Sequence, residues 1–262
     1  SSQKFIAYCW HDVTGKQKFG SYTGNGSTSG PTITTGFRPG WVMIKRTDST
    51  NNWFIYDGTR NPLNPIDLPL NANSSSSEAT IFGGNEIEFS DTGFQLIDDL
   101  GATNANGGTY IYMAFAGSYS DYITDYNTDG SIDSRVKANT TYGFSIVSYT
   151  CPATTVTGDT IGHGLGVAPD FMIFKNRDTT TNWGVYHKDI GNTGGILLND
   201  TGATITSVEW WNNTSPTSTE ISLGRFSYVQ NNSQDYIAYC WAEKAGYSKF
   251  GSYTGTGSAG LS

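Results

Sequence analysis

Hydrophobic and polar residues alternate along much of this chain, and helical periodicity is hard to find anywhere in it. In "NEIEF" (85–89), Ile87 and Phe89 fall on the opposite parity to Glu86 and Glu88, the pattern of a strand with one buried face. "FIAYCW" (5–10) and "YIAYCW" (236–241) read as apolar strands, and "FMIF" (171–174) is a continuous run suited to a strand covered on both faces. Turn signals recur at short intervals, among them Gly24-Asn25-Gly26, Asp57-Gly58, Asn106-Gly107-Gly108 and Asp129-Gly130. Short strands punctuated in this way predict an all-β chain of antiparallel β-sandwich, jelly-roll-like architecture.

The apolar segments repeat. "KFGSYTG" occupies 18–24 and again 249–255, and "IAYCW" precedes it at 6–10 and 237–241, at a constant offset of 231 residues. A second register aligns "PGWVMIKRTDSTNNWFIYD" (39–57) with "PDFMIFKNRDTTTNWGVYH" (169–187) without a gap. "TYIYMAF" (109–115) aligns with "DYIAYCW" (235–241), and "FGSYTG" with "FSIVSYTC" (144–151). Self-similarity of this kind marks repeated structural units.

The chain therefore divides into the closing strand of a preceding module (1–17), module A (18–117), a linker (118–142), module B (143–248) and the opening strand of a following module (249–262). Each full module is about 100 residues, enough for its own core. This division leads us to expect a segment of an extended array, or a subunit whose end strands complete a neighbour.

Composition fits the pattern: 14% aromatic residues, with 16 Tyr, 7 Trp and 32 Gly, suits strands and tight turns. A net charge of -8 with no basic run disfavours nucleic acid as a partner. No stretch of membrane-spanning length is apolar throughout. Cys9 and Cys240 occupy equivalent strand positions, where module A has Ala114, and read as small buried residues rather than bridge partners.

Chemistry-bearing patterns are sparse. "DYNTDGSID" (125–133) places Asp125, Asn127, Asp129 and Asp133 at calcium-loop spacing with Gly130 at the turn, but position twelve is Val136 instead of a carboxylate. An Asp-Gly turn in a linker explains the same letters, and no other cofactor is suggested. "GHGLG" (162–166) reads as a turn, and His11, His163 and His187 share no ligand spacing, so surface histidine is the expectation. Glu86 and Glu88 lie on one strand face and Asp98-Asp99 near a turn, neither of which forms the facing carboxylate pair of a glycosidase. Trp53 and Trp183 are equivalent, and with Trp10 and Trp241 they read as structural.

Trp210 and Trp211 have no counterpart in module A and precede the polar "NNTSPTS" (212–218). On a regular strand adjacent rings point to opposite faces, so either one ring is exposed, or one caps the sandwich while the other packs on module A, as tryptophan is usually largely buried. An exposed ring beside Asn212 and Asn213 would offer a flat face and amide donors for a sugar.

"GHGLGVAPDFMIFKNRDTTTNWGVYH", "DYIAYCWAEKAGYSKFGSYTG" and "TGFRPGWVMIKRTDSTNNWFIYDGTRNP" resemble a pair of repeat modules of uncharacterised function, found in large structural and tail-fibre-like proteins of marine tailed bacteriophages. The resemblance covers nearly the whole chain, although the "GHGLG" module usually precedes the "TGFRPG" module and here follows it. It implies a virion structural protein, extracellular on the particle surface, and supplies no catalytic residues. The expected role is a fibre segment without enzymatic activity, partnered by neighbouring copies or further modules, or by a host-surface glycan. A polysaccharide-degrading tailspike enzyme, a capsid-decorating protein and a cell-surface filament are the alternatives.

Overall fold

The computed structural model of the chain describes residues 3–79, 86–117 and 126–255. A first strand, β1 (Gln3–Trp10), precedes module A. Module A holds β2 (Gln17–Thr23), β3 (Thr32–Thr34), β4 (Pro39–Arg46), β5 (Trp53–Asp57), β6 (Leu70–Asn71), β7 (Ile87–Ser90), β8 (Gly93–Leu96) and β9 (Thr109–Ala116). Two strands follow, β10 (Tyr126–Asn127) and β11 (Ser134–Asn139). Module B holds β12 (Phe144–Thr150), β13 (Thr160–Gly162), β14 (Phe171–Asn176), β15 (Gly184–His187), β16 (Gly194–Leu197), β17 (Ile205–Thr206), β18 (Glu220–Ser222) and β19 (Asp235–Trp241), before a last strand, β20 (Ser248–Gly255). The fold is all-β, and every pair of named strands runs antiparallel.

Both modules use one plan. The main sheet of module A runs β2-β9-β4-β5-β6, and module B repeats the order as β12-β19-β14-β15-β16. A small second sheet, β3-β8-β7 in A and β13-β18 in B, covers one face of each main sheet. The apolar side chains between the layers form each module's core. Val42, Ile44, Tyr110, Tyr112 and Ala114 point into A, and Met172, Phe174, Tyr236, Ala238 and Cys240 into B.

The alternate residues of the same strands are apolar too. Trp41 and Phe115 of A and Phe171, Ile237, Tyr239 and Trp241 of B are buried in a third cluster, outside both sandwiches. A strand that is apolar on both faces must be covered twice. The "FMIF" run meets that requirement by facing its own sandwich on one side and a shared junction on the other.

The end strands account for the repeated heptapeptide. Expected to complete neighbouring modules, β1 and β20 pair with each other instead. Their register copies the ladder that joins first and last strands in each module: Tyr22 faces Tyr110, Tyr149 faces Tyr236 and Tyr253 faces Phe5. In all three the rings stack, with centroids 4.8, 5.3 and 5.0 Å apart. The chain thus contains three equivalent opening–closing ladders, of which two carry complete modules and the third is a bare ribbon. The units meet around a common apolar cluster, which corrects the expectation of modules strung out end to end.

Two other expectations change. The expected linker contains β11, which pairs along its whole length with β12 and extends the main sheet of B. Cys9, expected to be buried like Cys240, is exposed, because no strand lies across from it on its far side among the described residues.

The repeat also duplicates polar detail. The Asn73 carboxamide accepts the Trp53 N–H at 2.9 Å and binds Asn52, and Asn199 does the same for Trp183 and Asn182. The two indoles differ in cover. Trp183 is wholly buried and donates its Nε1–H to the carbonyls of Asn71 and Ser74 in module A, whereas Trp53 is half-buried. Trp183→Ala is therefore expected to destabilise the chain by about 3–5 kcal/mol, and Trp53→Ala by less than half as much, in equilibrium denaturation.

Candidate functional site

The junction is built from an aromatic at the end of each apolar closing strand. Trp10 of β1, Phe115 of β9 and Trp241 of β19 occupy equivalent positions, and their ring centroids form a near-equilateral triangle with sides of 6.0, 5.9 and 6.0 Å. The middle strands add a second tier. Trp41 packs on its own Phe115 and on Tyr239 of B, at 5.4 and 5.8 Å. Its equivalent Phe171 packs on its own Trp241 and on Tyr8 of the ribbon, at 5.1 and 4.2 Å. Each unit leans on the next in the order A, B, ribbon. The indole N–H groups of Trp10, Trp41 and Trp241 are buried there without an acceptor among the described residues, at about 1–3 kcal/mol each.

The passages from one unit to the next are also duplicated. Asp12 accepts the Phe19 N–H at 2.7 Å and an ion pair from Lys18, while Glu243 accepts the Phe250 N–H at 2.9 Å and ion pairs from Lys249 and Lys188. Burial pushes the Glu243 carboxyl up, but the hydrogen bonds from Lys188, Lys249 and the Phe250 amide prevail and hold it at about 2. The two passages touch: Gln17 donates to the carbonyls of His11 and Tyr247 at 2.7 and 2.8 Å.

At the boundary of A and B lies a polar groove of about 620 Å³, edged by Arg60, Arg135, Arg177, Asp133 and Asp235. Its arginines are largely committed within the protein. The buried Arg60 guanidinium binds Asp57 at 2.5 Å and Glu78 at 2.5 Å, and Arg177 takes the other Glu78 oxygen at 2.6 Å. Tyr239 of module B donates to Asp57 at 2.6 Å. Burial alone would raise the Asp57 carboxyl, yet Arg60 and Tyr239 keep it below its ordinary range. The network fastens the two modules together, since a buried charge left without its partner is costly.

The residues singled out in the sequence are placed as follows. Trp210 and Trp211 are both fully buried, correcting the reading in which one ring is exposed. They sit in a tight turn, not a strand, so adjacent rings stack at 5.8 Å and both enter the core of B. Their Nε1–H groups donate to the Ile205 and Gly194 carbonyls, each at 2.9 Å. No flat face remains there for a sugar. Asn212 and Asn213 adopt φ of 52° and 50°, the left-handed region that asparagine tolerates, and shape the end of that turn.

Of the candidate calcium loop, Asp125 lies outside the described residues. The Asn127 side chain accepts the Asp129 N–H at 2.9 Å and donates to its carboxylate at 3.1 Å, closing the hairpin between β10 and β11. Asp133 stands apart on the groove. No metal-holding group of three or more His, Cys, Asp or Glu occurs among the described residues. His163 and His187 are buried, not at the surface, and each accepts a nearby backbone N–H through Nδ1, from Leu165 and Asp189.

A second polar cleft of about 530 Å³ in module A is edged by Asn52, Tyr56, Glu86 and Thr103. Alternation placed Glu86 with Glu88 on an outer face, but Glu86 precedes β7 and is buried, taking the Tyr56 hydroxyl at 2.5 Å. Burial raises its carboxyl to about 8 and that of Asp98 to about 6. A carboxyl raised in the fold favours folding below its ordinary value of 4.5, and that contribution is lost as pH climbs through about 8. Glu86→Gln should match the parent near pH 4.5 and exceed its stability by several kcal/mol, on the order of 5, above pH 8, measured by denaturant titration at each pH.

No curated protein and no solved structure matches the chain. One family profile does, described as a domain of unknown function, DUF7483, over residues 1–118 and again over 122–262. The two matches fall on the two modules, the first taking in β1 and the second taking in β20. The chain belongs to the DUF7483 family and carries two tandem copies of its domain.

Proposed function

We propose that this chain is a structural repeat segment of a virion fibre or surface filament, whose work is assembly through shared strands and not catalysis. The observation that carries the reading is the third ladder: a ribbon with the register and ring stacking of a module's first and last strands, but without a module's body. A strand pair of that kind is a joint between repeats, since units in an array depend on contacts with their neighbours. The polar features support the same reading. Arg60 and Arg177 of the boundary groove are bound to Asp57 and Glu78, Arg135 lies on Tyr126, and the carboxyls raised by burial lie within module A and away from that groove. The resemblance to tail-fibre-like repeats supplies the virion setting.

Immunogold labelling of the native particle with an antibody against modules A and B tests the proposal. Gold along fibres or filaments is the expected result. Gold confined to the capsid face, or hydrolysis of a surface polysaccharide by the purified chain, would replace it with decoration or enzymatic degradation.

A further inference from the structure

Equivalent residues of the three units differ systematically in exposure, and the differences lie on one side of the junction. Tyr110 and Tyr236 are fully buried, whereas their counterpart Phe5 is 41% exposed. Ala114 and Cys240 are fully buried, whereas Cys9 is exposed. In both modules the strand opposite covers these positions, with Val42 across from Ala114 and Met172 across from Cys240. Among the described residues β1 pairs only with β20, and no described strand pairs with its other edge.

The contrast continues on the flank of module A that faces the ribbon. Ile237 is fully buried and its equivalent Ile111 is 42% exposed. Trp183 is capped by the carbonyls of Asn71 and Ser74 from the preceding unit, while Trp53 stands half-buried in an apolar cleft of about 480 Å³. That cleft is bounded by Tyr8 and Trp10 of the ribbon, Met113 of A and Leu198 to Thr201 of B. Leu198 to Thr201 is module B's equivalent of the stretch with which A grips Trp183. One side of the cleft therefore presents an uncapped tryptophan, and the other presents a capping loop with no tryptophan beneath it.

We infer that the β1 edge and this cleft form an acceptor site for the middle segment of a further module of the same family, the equivalent of residues 32–108. Its strand corresponding to β4 adds to β1 as β4 adds to β9, and its small second sheet covers Phe5, Cys9 and Tyr253. The aromatic of its β4-type strand packs on Trp10 and Met113, as Trp41 packs on Phe115 and Tyr239, its loop caps Trp53, and its own tryptophan is capped by the Leu198 to Thr201 loop. Main-chain pairing along an open edge supplies affinity, and the aromatic sockets supply register. No second copy of this chain can donate such a segment without dismantling a module, because β4 and β14 are central strands of their own sheets. The inference rests on the structural-repeat reading and names the partner that reading requires.

Cys9 reports occupancy directly, since Cys151 and Cys240, the only other cysteines, are buried. Burial pushes the Cys151 thiol up to about 11 and raises that of Cys240 as well, so neither is reactive in the fold. The chain is extended after Ser262 by a second copy of residues 32–108, which joins at the point where module A continues from its own first strand. Reaction with a disulfide reagent is then followed. The unextended protein should give one fast thiol, at a rate independent of protein concentration. In the extended chain that rate should fall by about 100-fold, and Val42→Asp with Ile44→Asp in the added copy should restore it.

A Cys9 as reactive in the extended chain as in the parent overturns the inference. So does a parent Cys9 that becomes protected as the protein dimerises, which would assign the edge to a second copy. If the extension unfolds the chain, seen as reaction at Cys151 and Cys240, the segment is co-expressed as a separate polypeptide with the 262-residue protein. Co-purification with Cys9 protected then supports the site, and a reactive Cys9 refutes it. Thiol protection decides this point on purified protein whatever the particle shows, while the gold label decides the fibre reading whatever Cys9 does.

Discussion

Everything in this molecule depends on strands that are apolar on both faces. Such a strand cannot be stable in a sandwich that leaves one side wet, because each uncovered aromatic forfeits about 1.5–3 kcal/mol of burial. The closing strands answer this by pointing Tyr110, Tyr236 and Ala238 into module cores and Phe115, Tyr239 and Trp241 into the junction. Modules A and B consequently cannot be independent beads. Each needs the other's outer face, and the Asp57–Arg60–Glu78–Arg177 network sets their relative position with charges that would be costly to leave unpaired.

The ribbon of β1 and β20 is the same solution applied with fewer residues. Trp10 and Phe250 complete the junction and are covered by it, while the opposite face of the ribbon, with Phe5 and Tyr253, remains open. Gly251 shows the difference at a single position. A side chain there would meet nothing, whereas one at the equivalent Gly20 would strike Tyr112 at 2.8 Å. The glycine is retained in both copies of the heptapeptide, but only the complete module has a neighbour that needs its missing side chain.

Much of this was legible in the sequence. The repeated heptapeptide, the aligned middle strands and the alternation of Ile87 and Phe89 are local signals, and they lead to the all-β class and to two modules. That the end strands pair with each other was not legible, because identical letters specify a ladder without saying which copy of each strand forms it. The failures share one cause. Trp210 and Trp211 were read with the geometry of a strand, and their burial follows from a turn that packs Trp210 against Gly184 and Gly195, where a side chain would approach it to 3.0 and 2.6 Å. Cys9 was read as buried from its equivalence to Cys240 and Glu86 as outward from parity, yet their exposure is decided by whether a neighbouring element covers them. The Asp125–Asp133 motif matched calcium-loop spacing, but in the part described the Asn127 side chain is used to close a hairpin.

Closure of the chain by its own ends is the central claim, and a paired substitution tests it. Ala7 faces Gly251 in the β1–β20 ladder, and Gly251 has open space for a side chain. Ala7→Cys with Gly251→Cys, in a Cys9→Ser background, should oxidise to an intramolecular disulfide, since directly opposed residues lie about 4.5–5.5 Å apart. Ala7→Cys with Tyr253→Cys, out of register by two, should not. A monomeric cross-linked species for the first pair alone is the expected result. Disulfide-linked dimers, or equal cross-linking by both pairs, would mean that the end strands belong to neighbouring molecules or to no fixed ladder.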